Sequence, residues 1–279
     1  MLEVSSLGEE FKANPVYLIP ILASLIIGLA CAYLLGSIPV AAPPVIPFPD
    51  TPSGSISNAI YFLAIIATSA AIFYLLIRWK RSKTIGILVA FAISAASILL
   101  SAVYLSALLS SIPNWEIIAA ISAILITVLV DLIIFKVGGK AQSVVVVALG
   151  GALGVFLGYS IPLWSSILIL VFLAAYDIVA VYKGPIGKIA DSGLDQLKGL
   201  SFSFKHLQMG LGDLVFYSML CGTMFLKIGW FSYFFSLVGI VIGTFVTFKL
   251  LEKKEIFPGL PLPILLGLSG GLLGSLLPG

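Results

Sequence analysis

One histidine and two cysteines are all that 279 residues offer for imidazole chemistry or soft metal ligation. Cys31 and Cys221 each sit alone in an apolar run rather than in a ligand-spaced pair, and His206 stands by itself at the edge of another. A zinc site would lack ligands and a Ser-His-Asp relay would lack a placed base, so no metal and no cofactor is expected. Charge is scarce as well, at 10% of residues against 60% hydrophobic. The net charge of +3 comes from lysines and arginines flanking the apolar runs. No basic patch interleaves with aromatics, which argues against nucleic acid as a partner.

What the chain has is long apolar runs, each near the roughly 20 residues that cross a bilayer. Breaks at charged or Pro/Gly-rich points predict nine spans, near 16–36, 56–77, 85–109, 116–135, 143–160, 163–181, 207–226, 231–250 and 260–277. The first has no basic leader and is followed by prolines rather than a small-residue cleavage site, so it reads as a permanent span. The expected class is an all-α polytopic membrane protein whose partner is the lipid bilayer. With nine spans, Lys12, Arg78 to Lys83, Lys136 with Lys140, Lys183 to Lys205 and Lys249 to Lys254 all fall on the side of the N-terminus, leaving Lys227 alone opposite. Fusing the fifth and sixth spans across Ile161 and Pro162 would destroy this asymmetry. The positive-inside rule therefore predicts a cytoplasmic N-terminus and an outside C-terminus. No repeat or soluble insert interrupts the pattern, which reads as one membrane domain over 1–279: spans one to six in 1–181, a cytoplasmic loop in 182–206 with Asp191 and Asp195, and spans seven to nine in 207–279.

Six prolines between Pro39 and Pro52 predict an extended, semi-rigid outer connector. Gly150, Gly154 and Gly158 recur every four residues and predict a smooth strip for a neighbouring helix, as do Gly267 with Gly271 and Gly270 with Gly274 in the last span.

Against this apolar background, buried acids stand out, because a charge near the bilayer centre is costly and ordinarily faces protein or water. Asp177 lies in "FLAAYDIVAVYK", six positions before Lys183, and Asp213 lies in "MGLGDLVFY", eight positions after Lys205. At about 1.5 Å per residue both sit roughly 9–12 Å inside the same boundary. Consecutive antiparallel spans can bring them side by side, and Gly210 and Gly212 leave room for a backbone to approach the second acid. Two carboxyls held close do not readily both ionise and so share a proton. One then serves as general base on a water while the protonated partner polarises a carbonyl, which is aspartic protease chemistry. In "FPGLPLPILLGL", Pro258, Pro261 and Pro263 remove donors and disturb the opening of the ninth span, leaving backbone groups without helical partners. Such backbone is tolerated at membrane depth only against protein or water, and it is also suited to pairing with an extended strand.

Tyr176-Asp177, Gly210-Leu211-Gly212-Asp213 and Pro258-Gly259-Leu260-Pro261, in that order and in the sixth, seventh and ninth spans, resemble the Tyr-Asp, Gly-Xaa-Gly-Asp and Pro-Ala-Leu-Pro motifs of the presenilin and signal peptide peptidase family of intramembrane aspartyl proteases. The resemblance implies that Asp177 and Asp213 form a catalytic pair, and that Tyr176, Gly210, Leu211, Gly212, Pro258, Gly259, Leu260 and Pro261 position a transmembrane peptide or protein substrate. Gly259 departs from the motif's alanine. A cytoplasmic N-terminus matches the presenilin branch, and the short 182–206 linker is that of a compact microbial homologue, with no obligate accessory subunit expected. Asp131, five residues before Lys136, reads as a structural acid that snorkels or pairs. Tyr176 reads equally as packing anchor or donor to the pair, His206 as an interface residue and Lys183 as a topological anchor. The rival class is a proton- or cation-coupled transporter using the same acids with the prolines as a broken helix. Against it, both principal acids and the break crowd into the last third of the chain.

Overall fold

The structure, a computed structural model, describes residues 2–4, 12–38, 45–182, 199–205, 207–253 and 256–277. His206, Lys183, Asp191 and Asp195, with most of the 182–206 loop, lie outside the described residues. Among the described residues nine α-helices follow one another: α1 (Ile19–Ser37), α2 (Pro52–Arg78), α3 (Ser82–Leu109), α4 (Trp115–Leu132), α5 (Gly139–Ser160), α6 (Leu163–Tyr182), α7 (Leu211–Lys227), α8 (Trp230–Leu251) and α9 (Pro261–Gly274). Counting the 3-10 turn Pro15–Leu18 before α1 and the π turn Ile133–Val137 after α4, seven of them form apolar stretches of 20 to 28 residues, long enough to cross a membrane. The fold is all-α and polytopic. Large apolar side chains such as Phe91 and Leu125 stay outward, as a lipid-facing surface requires.

Two elements differ from the predicted spans. The seventh begins at Leu211 rather than 207, because Leu207–Gly210 is a strand, β3. It pairs antiparallel with β2, Ser201–Phe204, in register Ser201↔Gly210 to Phe204↔Leu207. The period-2 alternation of "SFSF" and "LQMG" is the cause: Phe202, Leu207 and Met209 bury one face. The turn between them uses Lys205 at φ 55°. With β1, Leu2–Val4, and β4, Ile256–Phe257, these strands make a sheet of order β2-β3-β1-β4. The ninth helix is the second difference, at 14 residues. That is about 21 Å, against roughly 30 Å of hydrocarbon, since Pro258 and Pro261 delay its start.

Small residues set how closely the helices approach. A Cβ on Gly154 would overlap the Val215 carbonyl and lie 2.7 Å from the Met219 amide nitrogen, and one on Gly158 would lie 2.9 Å from the Met219 carbonyl oxygen. The predicted glycine strip of α5 is therefore the seat of α7. In the last span Gly270 and Gly274 do the same for α8: a Cβ on Gly274 would meet the Phe231 carbonyl at 2.7 Å, and Gly270 abuts the Phe235 carbonyl, whereas Gly267 packs against the side chains of Ile240 and Leu220 and Gly271 against that of Met224 on α7. Between α1 and α2, the described part of the proline-rich connector is tied down by Asn58. Its amide accepts the Phe48 N–H at 3.1 Å and donates to the Phe48 carbonyl and Ser165 Oγ, each at 3.2 Å.

Gly154→Ala should destabilise the protein by about 1–3 kcal/mol, as over-packing against backbone does. Gly86 on α3, with nothing within 4 Å of its would-be Cβ, should take alanine with no loss. Thermal unfolding of both variants in one detergent checks the contrast.

Candidate active site

The helices α6, α7 and α9 touch one another pairwise, and the segment joining β4 to α9 lies where they meet. Pro258, Gly259, Leu260 and Pro261 are all buried. Pro261 opens the helix and has no N–H, so the first amide available at this helix end is that of Leu260. It donates to Asp177 Oδ2 at 3.0 Å. The carboxyl thus takes up a backbone donor at the start of α9 across 83 residues of sequence. One residue earlier, the Gly259 carbonyl accepts the Tyr217 hydroxyl at 2.7 Å. The backbone groups that the prolines free from helical pairing are taken by side chains of α6 and α7.

Asp213 reaches the same dipeptide from the other side. It is the third residue of α7, whose first N–H, that of Leu211, bonds the Leu200 carbonyl at 2.8 Å. Gly210 in extended conformation (φ −75°, ψ 144°) makes the strand-to-helix corner. A Cβ on Gly259 would lie 2.9 Å from Asp213 Oδ2 and 3.1 Å from its Cγ. Only the missing methyl lets this carboxyl rest on the Gly259 backbone. Asp177 is 9% exposed and Asp213 3%, so both carboxyls are set in protein, on neighbouring residues of one segment.

The other predicted residues fall around this point. Tyr176 is half-buried beside Asp177 on α6, with no hydroxyl hydrogen bond to a described residue. Gly212 is exposed and Gly210 half-buried. Their would-be Cβ atoms meet nothing closer than 3.8 Å and 4.0 Å. The two glycines leave open space beside Asp213, and the backbone of this chain that comes close to the carboxyl is that of Gly259. Tyr182, at the end of α6, packs edge-to-face on Phe257 of β4 with ring centroids 6.5 Å apart, which fixes the approach of the strand to the site. Asp131 lies elsewhere, between α3 and α4. Its Oδ2 accepts Ser94 Oγ at 2.6 Å, so its partner is a hydroxyl on the neighbouring helix rather than Lys136. Among the described residues no cluster of three His, Cys, Asp or Glu is arranged to hold a metal.

Sequence reasoning missed Tyr217, which is fully buried. The signal was its spacing: four residues after Asp213 puts both on one face of α7.

This arrangement defines a polytopic helical membrane protein with two acids converging on a proline-flanked helix opening. A family model described as Presenilin matches residues 188–277. Presenilin-B of Dictyostelium discoideum is 29% identical over 119 residues, which is 39% of this chain and a quarter of that protein's length (25%). Two solved structures of a presenilin family intramembrane aspartate protease, in C222 and P2 space groups, share the fold with TM-scores of 0.69 and 0.63. They are 20% and 19% identical, over 95% and 92% of this chain and 100% and 94% of theirs. The chain has the presenilin fold over nearly its whole length, and its last third carries the sequence pattern of the presenilin family.

Tyr217→Phe keeps the ring and removes the donor to a buried carbonyl, so it should lower stability by about 1–3 kcal/mol. Thermal unfolding against wild type measures it. An unchanged midpoint would mean that another group satisfies the Gly259 carbonyl.

Proposed function

We propose that this chain is an intramembrane aspartyl endopeptidase that hydrolyses peptide bonds within transmembrane segments, with Asp177 and Asp213 as the catalytic pair. The observation that carries the reading is the convergence of both carboxyls, from different helices, on Gly259 and Leu260. The similarity to presenilin-family proteins supports it.

In this mechanism the two carboxyls share one proton. The ionised member takes a proton from a water as that water attacks the scissile carbonyl, and the protonated member donates to the carbonyl oxygen. Collapse of the resulting tetrahedral centre returns a proton to the leaving amine. The Leu260 N–H holds Asp177 in place, and Gly259 gives Asp213 its position. Gly210, Leu211 and Gly212 form a corner open enough for a substrate backbone, while Tyr176 and the Pro258–Pro261 segment flank it. A helical amide is hydrogen-bonded and shielded, so the substrate has to unwind to be cut, and helix-weak transmembrane segments should be preferred. The chain acts alone in a bilayer, with its N-terminus cytoplasmic and the acids toward the cytoplasmic leaflet.

Purified protein in detergent should cleave a fluorogenic transmembrane peptide, and Asp177→Asn or Asp213→Asn should each reduce the rate by roughly 10²–10⁴-fold or beyond detection with the fold intact. Undiminished cleavage in either variant would overturn the pair, and proton flux in liposomes without cleavage would favour the transporter. Gly259→Ala should separate rate from stability. The methyl meets the movable end of the Asp213 side chain, so unfolding should hardly change while kcat falls roughly tenfold from the displaced carboxyl. Full activity with alanine would show that the carboxyl does not need its present position.

A further inference from the structure

β1 is the one strand of the sheet contributed from far away in sequence, and it lies between the two strands that lead into the candidate site. On one side Leu2, Glu3 and Val4 pair antiparallel with Met209, Gln208 and Leu207 of β3. On the other, Leu2 and Glu3 pair antiparallel with Phe257 and Ile256 of β4. Because β1 is antiparallel to both, β3 and β4 run the same way. β3 ends at Gly210, where α7 begins and brings Asp213 within its first turn. β4 ends at Phe257, next to Pro258 and Gly259. Leu2 is the residue of β1 nearest both motifs.

Without β1, β3 and β4 would face each other across about twice the usual 4.8 Å strand spacing. That gap has the width of one extended chain, with backbone donors and acceptors on both sides. A segment laid there would form main-chain bonds on both edges whatever its side chains, as strand addition does. It would also run directly to the dipeptide on which the carboxyls converge. A transmembrane substrate unwound for cleavage has that extended conformation. We infer that residues 2–4 hold the strand position that an extended substrate segment takes, so that this chain's own first strand competes with substrate at the site.

The inference rests on the proposed protease reading and adds to it an internal competitor. The competitor is suited to displacement. Three residues form a weak strand, but seven intervening residues tether it to Lys12, near α1, and so present it at an effective concentration of order millimolar. A substrate strand of comparable intrinsic affinity would then bind several-fold more weakly than to an empty slot.

Two variants test it in the cleavage assay, each with an Asp213→Asn control. Replacing residues 2–4 by Gly-Pro-Gly keeps the chain length and removes the strand. The expected result is a KM roughly three- to tenfold lower with kcat unchanged. The second variant, Glu3→Cys with Gln208→Cys in a Cys31→Ala and Cys221→Ala background, places cysteines at directly opposed strand positions, whose usual Cα separation suits a disulfide. The oxidised form should lose cleavage, and reduction of the same sample should restore it. A raised KM or a lowered kcat in the first variant, or equal cleavage by the oxidised and reduced forms of the second, would overturn the competitor while leaving a protease that Asp213→Asn still inactivates. No cleavage by any form, wild type included, would overturn the protease reading and this inference with it.

Discussion

A peptide group without a partner in hydrocarbon costs several kcal/mol, and this constraint governs the region around Gly259 and Leu260. Pro258 and Pro261 bracket a dipeptide that cannot join α9, yet it lies buried among apolar helices. Its carbonyl takes the Tyr217 hydroxyl and its amide takes the Asp177 carboxylate. Satisfying these two groups draws α6 and α7 onto the start of α9. The proposed catalytic acids are therefore held by the same interactions that make an interrupted backbone tolerable at this depth. A regular helix here would need neither side chain, and nothing would hold Asp177 beside the dipeptide that Asp213 also touches.

The precision of that meeting depends on rigid neighbours. Lipid does not drive helices together as water does, so close van der Waals approach has to come from small side chains. Gly150, Gly154 and Gly158 let α5 seat α7 at near-backbone contact, and Gly270 and Gly274 do the same between α8 and α9. One partner of the proline segment, α7, and the helix that the segment opens, α9, are thus located by contacts that a methyl would disturb. The Gly259 contact differs in kind. There the neighbour is the end of a short side chain, so a methyl would move a carboxyl rather than a helix.

Much of this was legible in the sequence, for reasons that differ by element. Nine apolar runs correspond to nine helices among the described residues, because hydrocarbon permits little else, and the three short motifs lie on α6, at the start of α7 and at the start of α9. The carboxyl contact at Gly259 was not legible, because spacing carries no information about which of several glycines a remote carboxyl will meet; Gly210 and Gly212 flank Asp213 in sequence, yet Gly259 receives it. Asp131 was read against Lys136 along its own helix, whereas its hydrogen bond goes across to Ser94 of α3. The strands were missed although their alternation was visible. Leu207, Gln208 and Met209 adjoin a long apolar run, and a hydropathy window absorbs a short period-2 stretch into the span that follows it. β1 could not be read at all, since three residues at the start of the chain acquire a partner only through folding.

The irregular elements fall on one side of the helical bundle, and this has a consequence for water. Four residues at the entrance to α7 are strand instead of helix, and α9 is about 9 Å shorter than the hydrocarbon it faces. At the end of the bundle where both shortfalls occur, strand and turn stand in place of helix, and the edges of a sheet call for water or a paired chain rather than lipid. Gly212 is exposed there, next to the buried Asp213. The proposed hydrolysis needs a water at a carboxyl that is otherwise enclosed, and the place where helix gives way to strand is where water can come closest to it. On the proposed reading, the same departure from helical regularity that had to be compensated by Tyr217 and Asp177 gives both reactants, water and an unwound chain, a route to the two carboxyls.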